Sequence, residues 1–205
     1  MTIRLHRGDL PDLSAYKGAV AIDTETMGLE PNRDRLCVVQ LSPGDGSADV
    51  VQIAAGQTKA PNIERLLADK SVLKIFHYAR FDLGMLAKAF GVMAQPVYCT
   101  KIASRLARTY TDKHGLKDLA RELLGVDLSK QQQLSDWGAD ELTDAQVSYA
   151  ATDVLHLHAL KERLDAMLAR EARADLAGAC FGFLPDRVRL DLAGWADQDI
   201  FSHAL

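Results

Sequence analysis

The sequence predicts an α/β fold built on a mixed sheet, and two observations carry that prediction. The first half of the 205-residue chain holds short apolar runs bounded by Gly, Pro and Asp, a pattern typical of strands. The second half holds longer runs with apolar residues at helical spacing. A strand-rich start that changes to alternating strands and helices is typical of a sheet with helices packed on it.

Four strands are predicted from these runs, at residues 18–22, 36–41, 48–53 and 72–76. The second and third flank the turn Ser42-Pro43-Gly44-Asp45-Gly46-Ser47, which predicts an antiparallel hairpin. The first strand leads directly into Asp23, and the fourth ends at His77. Polar side chains therefore stand where buried strands end.

Helices are predicted at residues 63–67, 80–90, 100–107 and 116–124, and from Thr143 to about Ala169. Gly91 and Gly125 end the second and fourth of these helices. The segment Thr143-Asp144-Ala145-Gln146 predicts a capping box at the start of the last one. Residues 1–205 are expected to form a single domain. Within it, residues 170–205 are an extension that packs on the core or on another subunit.

Composition excludes several classes of protein. The net charge of −4 argues against a broad surface for long polyanions, since such a surface usually shows a basic stripe. Cys37, Cys99 and Cys180 are far apart, which favours reduced thiols in a cytoplasmic protein over a disulfide or zinc site. No secretory leader and no long apolar run is found, so no membrane partner is expected.

Four acidic residues and one tyrosine are the candidates for chemistry: Asp23, Glu25, Asp82, Tyr149 and Asp153. Residues two apart on a strand share a face, and residues four apart on a helix are neighbours. Two carboxylates about 4 Å apart repel by roughly 4 kcal/mol at an effective dielectric of 20. A cluster of four therefore requires protons or cations, which indicates divalent metal ions and the phosphoryl transfer that they promote.

Each of these features has an ordinary alternative when taken alone. Asp23 and Glu25 could be solvated acids at a strand end, and Asp82 an acid favoured by the dipole at a helix start. Tyr149 and Asp153 could be a boundary tyrosine beside an incidental acid. Their joint occurrence, in this order and with these flanking residues, favours the metal site.

The three segments resemble the three motifs of the DEDDy 3′–5′ exonucleases. These motifs are Asp-x-Glu after an apolar strand, His-x-Ala-x-Phe-Asp at residues 77–82, and Tyr-x-x-x-Asp on a late helix. The segment Gln133-Leu134-Ser135-Asp136-Trp137 is similar to one in the ribonuclease D branch. Over nearly its whole length the chain resembles the compact oligoribonucleases of that branch. The resemblance implies a ribonuclease H-like fold with a five-stranded mixed sheet flanked by helices.

The resemblance also implies a role for each residue of the site. Two divalent ions, Mg²⁺ or Mn²⁺, are expected, because all of the ligands are oxygens. Asp23, Glu25 and Asp153 would hold the first ion. Asp82 would hold the second through water, with Asp23 reaching both. Tyr149 would orient the attacking water, since a phenol with a pKa near 10 is mostly protonated at neutral pH.

Substrate contacts are expected from residues that flank the motifs: Thr24, Leu29, His77, Tyr78, Arg80, Lys130 and Gln133. Leu29 is expected to wedge between two bases, with a leucine tucked into the core as the alternative. Arg80 could clamp a phosphate and Tyr78 could stack on a base. Lys130 and Gln133 have the alternative of a solvated loop.

The function implied is hydrolysis of very short RNAs, dinucleotides above all, from the 3′ end to 5′ mononucleotides, in the last step of RNA degradation. Asp140-Glu141 stands where many ribonuclease D relatives have Arg-Pro, and Tyr78 stands where Asn is common. The first departure removes a cation and favours short substrates. One alternative is a general exonuclease that trims longer RNA or DNA, and another is an inactive nucleic-acid-binding module. The resemblance further implies a homo-oligomer, an octameric ring.

Overall fold

The computed structural model describes residues 2–129, 131–132 and 134–203. The strands are β1 (Thr2–Arg7), β2 (Ala19–Thr26), β3 (Leu36–Ser42), β4 (Ser47–Gln52), β5 (Leu73–Phe76) and β6 (Val97–Cys99). The helices are α1 (Pro61–Ala68), α2 (Ala79–Phe90), α3 (Thr100–Ala107), α4 (Leu116–Leu119), α5 (Asp144–Leu155), α6 (Leu157–Arg170) and α7 (Ala174–Leu190). Two of them continue into π-helical turns, α4 at Ala120–Leu124 and α7 at Asp191–Trp195.

The strands form one mixed sheet in the order β1-β4-β3-β2-β5-β6. β3 runs antiparallel to β2 and β4, and the other neighbouring pairs are parallel. The predicted α/β class and mixed sheet are confirmed. The count of five strands was wrong, because the described residues form six. β6 is only three residues long, and β1 alternates apolar residues with Arg and His, so neither has a strong sequence signal.

The core lies on both faces of the sheet because alternate strand residues point to opposite sides. On one face, Ile22 and Leu41 pack with residues of α1, α2 and α7. On the other face, Ala21 and Val38 pack with residues of α3, α5 and α6. β3 is buried along its whole length as a result. Asp23 and Glu25 are thus carried on a strand, β2, that helices cover on both sides.

The last predicted helix, from Thr143 to about Ala169, is two helices that meet at His156. The capping box at its start is confirmed, because Thr143 Oγ1 accepts from the Gln146 amide and Gln146 Oε1 accepts from the Thr143 amide at 2.9 Å. α5 packs on β2, β3 and β4, whereas α6 packs chiefly on α3. The prediction of one continuous helix was wrong because the two halves cover different neighbours.

Edge strand β1 is held to β4 by a buried carboxylate, Asp49, which is 4% exposed. Arg4 donates two hydrogen bonds to it, at 2.7 and 2.8 Å, and the Tyr16 hydroxyl donates a third at 2.5 Å. His6 Nε2 lies 2.7 Å from the same carboxylate. Burial opposes ionisation of Asp49, but these hydrogen bonds outweigh it and hold its pKa at about 2.

Replacing Asp49 with Asn is expected to lower the free energy of unfolding by about 2 kcal/mol, because Arg4 and Tyr16 lose a buried charged partner. The folded pKa lies below the ordinary value of 3.8, so this stabilisation is complete above about pH 4 and is lost as the pH falls toward 2. Urea unfolding of the two proteins measures the difference. Glu141→Gln is the matched control, since its pair with Arg7 is exposed and 3.4 Å long. Equal losses in both variants would contradict the assignment.

Within the part of the chain that the structure describes, no helix combines the length and apolar character needed to cross a membrane.

Candidate active site

Three carboxylates converge where α5 crosses the end of β2. Asp23 and Glu25 lie two apart on β2 and so point to the same face, the one covered by α5. α5 brings Asp153 to them, and one carboxylate oxygen of each residue lies within 4.8 Å of the others. The structure therefore unites carboxylates that are up to 130 positions apart in the sequence, from Asp23 to Asp153.

The fourth carboxylate, Asp82, reaches the site from the first turn of α2. It is 2% exposed. Thr24 points to the opposite face of β2 from Asp23 and Glu25, and its hydroxyl donates to Asp82 Oδ1 at 2.7 Å. The Thr24 side chain, expected to contact substrate, is thus buried and bonded to a carboxylate instead.

The four carboxylates strongly perturb one another. Burial, followed by the charges of Asp82, Asp153 and Glu25, raises the pKa of Asp23 well above its ordinary value. Burial and the charges of Asp153 and Asp82 raise the pKa of Glu25 to about 9. Burial raises the pKa values of Asp82 and Asp153 to about 7. Such a cluster holds protons or cations at neutral pH, and its all-oxygen donor set fits a hard divalent ion.

Tyr149 stands one helical turn before Asp153 on α5. Its ring packs against the buried ring of Trp137, with centroids 6.1 Å apart. Burial and the charges of Asp153, Glu25 and Asp23 raise the pKa of its phenol. Tyr149 therefore stays protonated and can donate a hydrogen bond within the site, as expected from the sequence.

A cleft of about 310 Å³ is lined by Asp23, Glu25, Tyr149 and Asp153, and it also holds His77, Tyr78, Lys101 and Lys117. The buried Asp82 is not among its lining residues. Lys101 Nζ lies 4.2 Å from the centre of the Tyr78 ring. The sequence reasoning missed both lysines. A signal was available, because each is the second residue of its helix, α3 or α4, where the helix dipole disfavours a positive charge. Two cations in a cleft rich in carboxylates favour an anionic substrate.

Three further residues were predicted to contact the substrate: Leu29, Lys130 and Gln133. Leu29 is 78% exposed, so it is not the buried core leucine that was its alternative. Lys130 and Gln133 lie outside the described residues. Their predicted contacts with substrate stay predictions.

Comparison with known proteins agrees with this geometry. The family described as 3′-5′ exonuclease matches residues 10–169. The chain belongs to the 3′–5′ exonuclease family. Brucella melitensis NrnC, solved with bound Mg²⁺, is 62% identical to this exonuclease, with a TM-score of 0.96 and 100% of each chain covered. The structure of Brucella melitensis NrnC bound to pGG is 63% identical, with a TM-score of 0.97 and 100% of each chain covered.

The exonuclease is also similar to curated ribonuclease D proteins. Ribonuclease D of Granulibacter bethesdensis is 38% identical over 154 residues, which is 75% of this chain and 38% of that protein. The chain spans about two fifths of the length of the curated relatives that it matches. The predicted resemblance to the ribonuclease D branch is confirmed.

Arg80 of this exonuclease does not line the cleft with its neighbours. Its guanidinium donates to Asp191 at 2.5 and 2.8 Å and to the Ala196 carbonyl at 2.8 Å. Arg187 also lies 2.7 Å from Asp191. Arg80 therefore ties the start of α2 to the C-terminal segment. It would have to leave Asp191 to clamp a phosphate, the role predicted for it.

Tyr78 of this exonuclease takes a left-handed conformation (φ 71°) at the start of α2. This conformation costs a residue such as Tyr about 1–2 kcal/mol, and Asn tolerates it better. Tyr78→Asn is expected to raise the free energy of unfolding by about 1 kcal/mol and to weaken substrate binding, because the exposed ring is lost. Urea unfolding and KM measure the two effects. Tyr78→Phe is the control, with unchanged stability and retained binding. A Tyr78→Asn protein that binds as tightly as the parent would contradict a stacking role.

Proposed function

We propose that this protein is a 3′–5′ exoribonuclease that hydrolyses very short RNAs, dinucleotides above all, and releases 5′ mononucleotides. The convergence of Asp23, Glu25 and Asp153 beside Tyr149 in one cleft carries the proposal. Acting on dinucleotides, such an enzyme would complete the last step of RNA degradation.

The size of the cleft and the net charge of the chain support a short substrate. Its volume of about 310 Å³ lies at the lower end of the range for ligand pockets, about 300–1,000 Å³. The net charge of −4 supports the same limit, because a protein that grips many phosphates usually carries a basic surface. Brucella melitensis NrnC, similar over its full length, was solved with the short nucleotide pGG.

We assign the carboxylates to two Mg²⁺ or Mn²⁺ ions, which when bound would supply Lewis-acid stabilisation for phosphoryl transfer. Asp23, Glu25 and Asp153 would hold one ion and Asp82 would contribute to the second. The Tyr149 hydroxyl, kept protonated by its surroundings, would orient the attacking water. Lys101 and Lys117 would attract the phosphate of the substrate to the cleft.

Cleavage of 5′-labelled RNAs from two to ten nucleotides, with Mn²⁺ and with chelator, tests the proposal. The expected result is the highest rate on the dinucleotide and no cleavage in chelator. The names of the curated relatives favour a second candidate, a ribonuclease D-like enzyme that trims longer RNA or DNA. A rate that stays flat or rises with length would favour it. A binding module without activity would cleave none of the substrates.

We further propose that the chain assembles into a homo-oligomer, with an octameric ring as the expected form, and that residues 170–205 take part. Exposed apolar side chains of this segment support the proposal: Leu176, Phe183, Trp195, Ile200 and Phe201. Light scattering should give a mass eight times that of the 22.4 kDa chain. The double variant Trp195→Ser, Phe201→Ser should lower that mass. An unchanged mass would contradict a role of this segment in the subunit interface.

A further inference from the structure

The cleft contains a histidine whose tautomer is set by its neighbours. His77 Nδ1 lies 2.9 Å from Thr100 Oγ1, and the Thr100 hydroxyl donates to the Phe76 carbonyl at 3.2 Å. Thr100 is fully buried. His77, Thr100 and Phe76 thus form a short chain of hydrogen bonds behind the cleft.

Only one placement of the protons makes both contacts of the Thr100 hydroxyl, with His77 and with Phe76, hydrogen bonds. A hydroxyl has a single proton, and a carbonyl oxygen can only accept. Once Thr100 donates to Phe76, its oxygen is left to accept, so the proton between Thr100 and His77 must belong to His77 Nδ1. A neutral ring with Nδ1 protonated has a bare lone pair on Nε2.

The environment keeps this ring neutral. Burial and the nearby charge of Lys101 lower the pKa of His77 to about 3. His77 lines the cleft together with Asp23, Glu25 and Asp153. In the part of the chain that the structure describes, no hydrogen bond is made to His77 Nε2, and this atom is not fully buried. The cleft therefore holds a neutral acceptor beside the carboxylates.

We propose that His77 Nε2 accepts a hydrogen bond from a ribose hydroxyl of the substrate and thereby makes the site selective for the sugar. The inference rests on the proposed function and adds the feature of the substrate that His77 recognises. Phosphate oxygens only accept, so a neutral acceptor cannot bind them. In the proposed reaction, the sugars on either side of the cleaved bond supply the substrate's hydroxyl donors, and cleavage beside the carboxylates would bring these hydroxyls into the same cleft. The 2′-hydroxyl is the donor that distinguishes RNA from DNA.

The test uses four 5′-phosphorylated guanosine dinucleotides. One is all-ribo, two lack the 2′-hydroxyl of either sugar, and one lacks the terminal 3′-hydroxyl. For each analogue, the ratio of its kcat/KM to that of the all-ribo substrate is measured on one protein preparation, so that the folded fraction cancels. The parent protein should cleave at least one analogue roughly two- to tenfold more slowly, the range of a single hydrogen bond. The analogue affected identifies the hydroxyl.

Matched variants connect that ratio to His77. His77→Phe keeps a planar ring without an acceptor, and for the affected analogue its ratio should rise to about one. His77→Gln retains an acceptor near the position of Nε2 and should restore part of the selectivity. Thr100→Val removes the partner of Nδ1, so it should weaken the selectivity while leaving His77 in place. Identical ratios in the parent and in His77→Phe would overturn the proposal.

A second measurement separates this inference from the proposed function. Two-bond ¹H–¹⁵N spectra of the histidine-labelled free protein report which ring nitrogen of His77 carries the proton. The expected pattern is protonation at Nδ1 in the parent and a mixture of tautomers in Thr100→Val. A proton on Nε2 would overturn the inference even if dinucleotides are cleaved. A parent protein that cleaves no dinucleotide would refute the proposed function, and the spectra would still decide whether Nε2 is an acceptor.

Discussion

Replacing Asp23 with Asn is expected to reduce turnover on the order of a thousandfold, about 4 kcal/mol in activation free energy. Asp23 is the carboxylate that Asp82, Asp153 and Glu25 all perturb, so it lies at the electrostatic centre of the cluster. An amide is a weaker ligand for a hard cation than a carboxylate. Single-turnover rates on a dinucleotide at saturating Mn²⁺ measure the loss.

The same substitution is expected to stabilise the metal-free protein. The raised pKa of Asp23 means that folding near neutral pH works against its ionisation, and Asn removes that cost. Thermal unfolding in chelator should therefore show a higher Tm for Asp23→Asn than for the parent. The control is Glu162→Gln, which also replaces a carboxylate by its amide but on the exposed face of α6. It should alter neither the rate nor Tm. An Asp23→Asn enzyme with full turnover would exclude the proposed role.

The second large effect is a fall in stability with rising pH that bound metal ions counteract. In chelator, Glu25, Asp82 and Asp153 have folded pKa values of about 9, 7 and 7, above their ordinary values of 4.5, 3.8 and 3.8. The folded state then holds more protons than the unfolded state between about pH 4 and 9. Stability is therefore greatest below about pH 4 as far as these groups are concerned, and it falls as the pH rises through 7 to 9.

Divalent ions bind the ionised carboxylates, so protons and ions compete for the site. The gain in Tm on adding Mn²⁺ should increase from pH 5.5 to pH 8.5, and ion binding should release protons. Each additional 1 kcal/mol of stabilisation corresponds to roughly 2–4 °C in Tm for a chain of this size. Differential scanning fluorimetry and calorimetry in buffers of different ionisation enthalpy measure the two quantities. A gain in Tm that is independent of pH would contradict a site made of these carboxylates.

Local patterns accounted for much of the site. Strand alternation placed Asp23 and Glu25 on one face, and helical spacing placed Tyr149 beside Asp153. The capping box at Thr143 was also a local pattern, because both of its hydrogen bonds join residues three apart. These predictions held because each depends on backbone geometry within one element.

Contacts between distant segments were not predictable in the same way. Arg80 stands in a motif that suggests a phosphate clamp, yet it pairs with Asp191, 111 residues further along the chain. β1 has few apolar residues, and Asp49, more than 40 positions away, holds it to the sheet. The break at His156 likewise follows from what α5 and α6 pack against.

The sequence by itself determined the candidate residues of the site: the set of four carboxylates and a tyrosine, and the elements that carry them. Only the tertiary structure decided which cations and acceptors join them in the cleft. β5 and β6 are parallel neighbours, so the residues that follow them, His77 and Thr100, lie at the same end of the sheet. Lys101 therefore reaches the cleft, and Thr100 sets the tautomer of His77. Periodicity encodes the direction of a side chain within its own element, whereas the partner it meets depends on how separate elements pack.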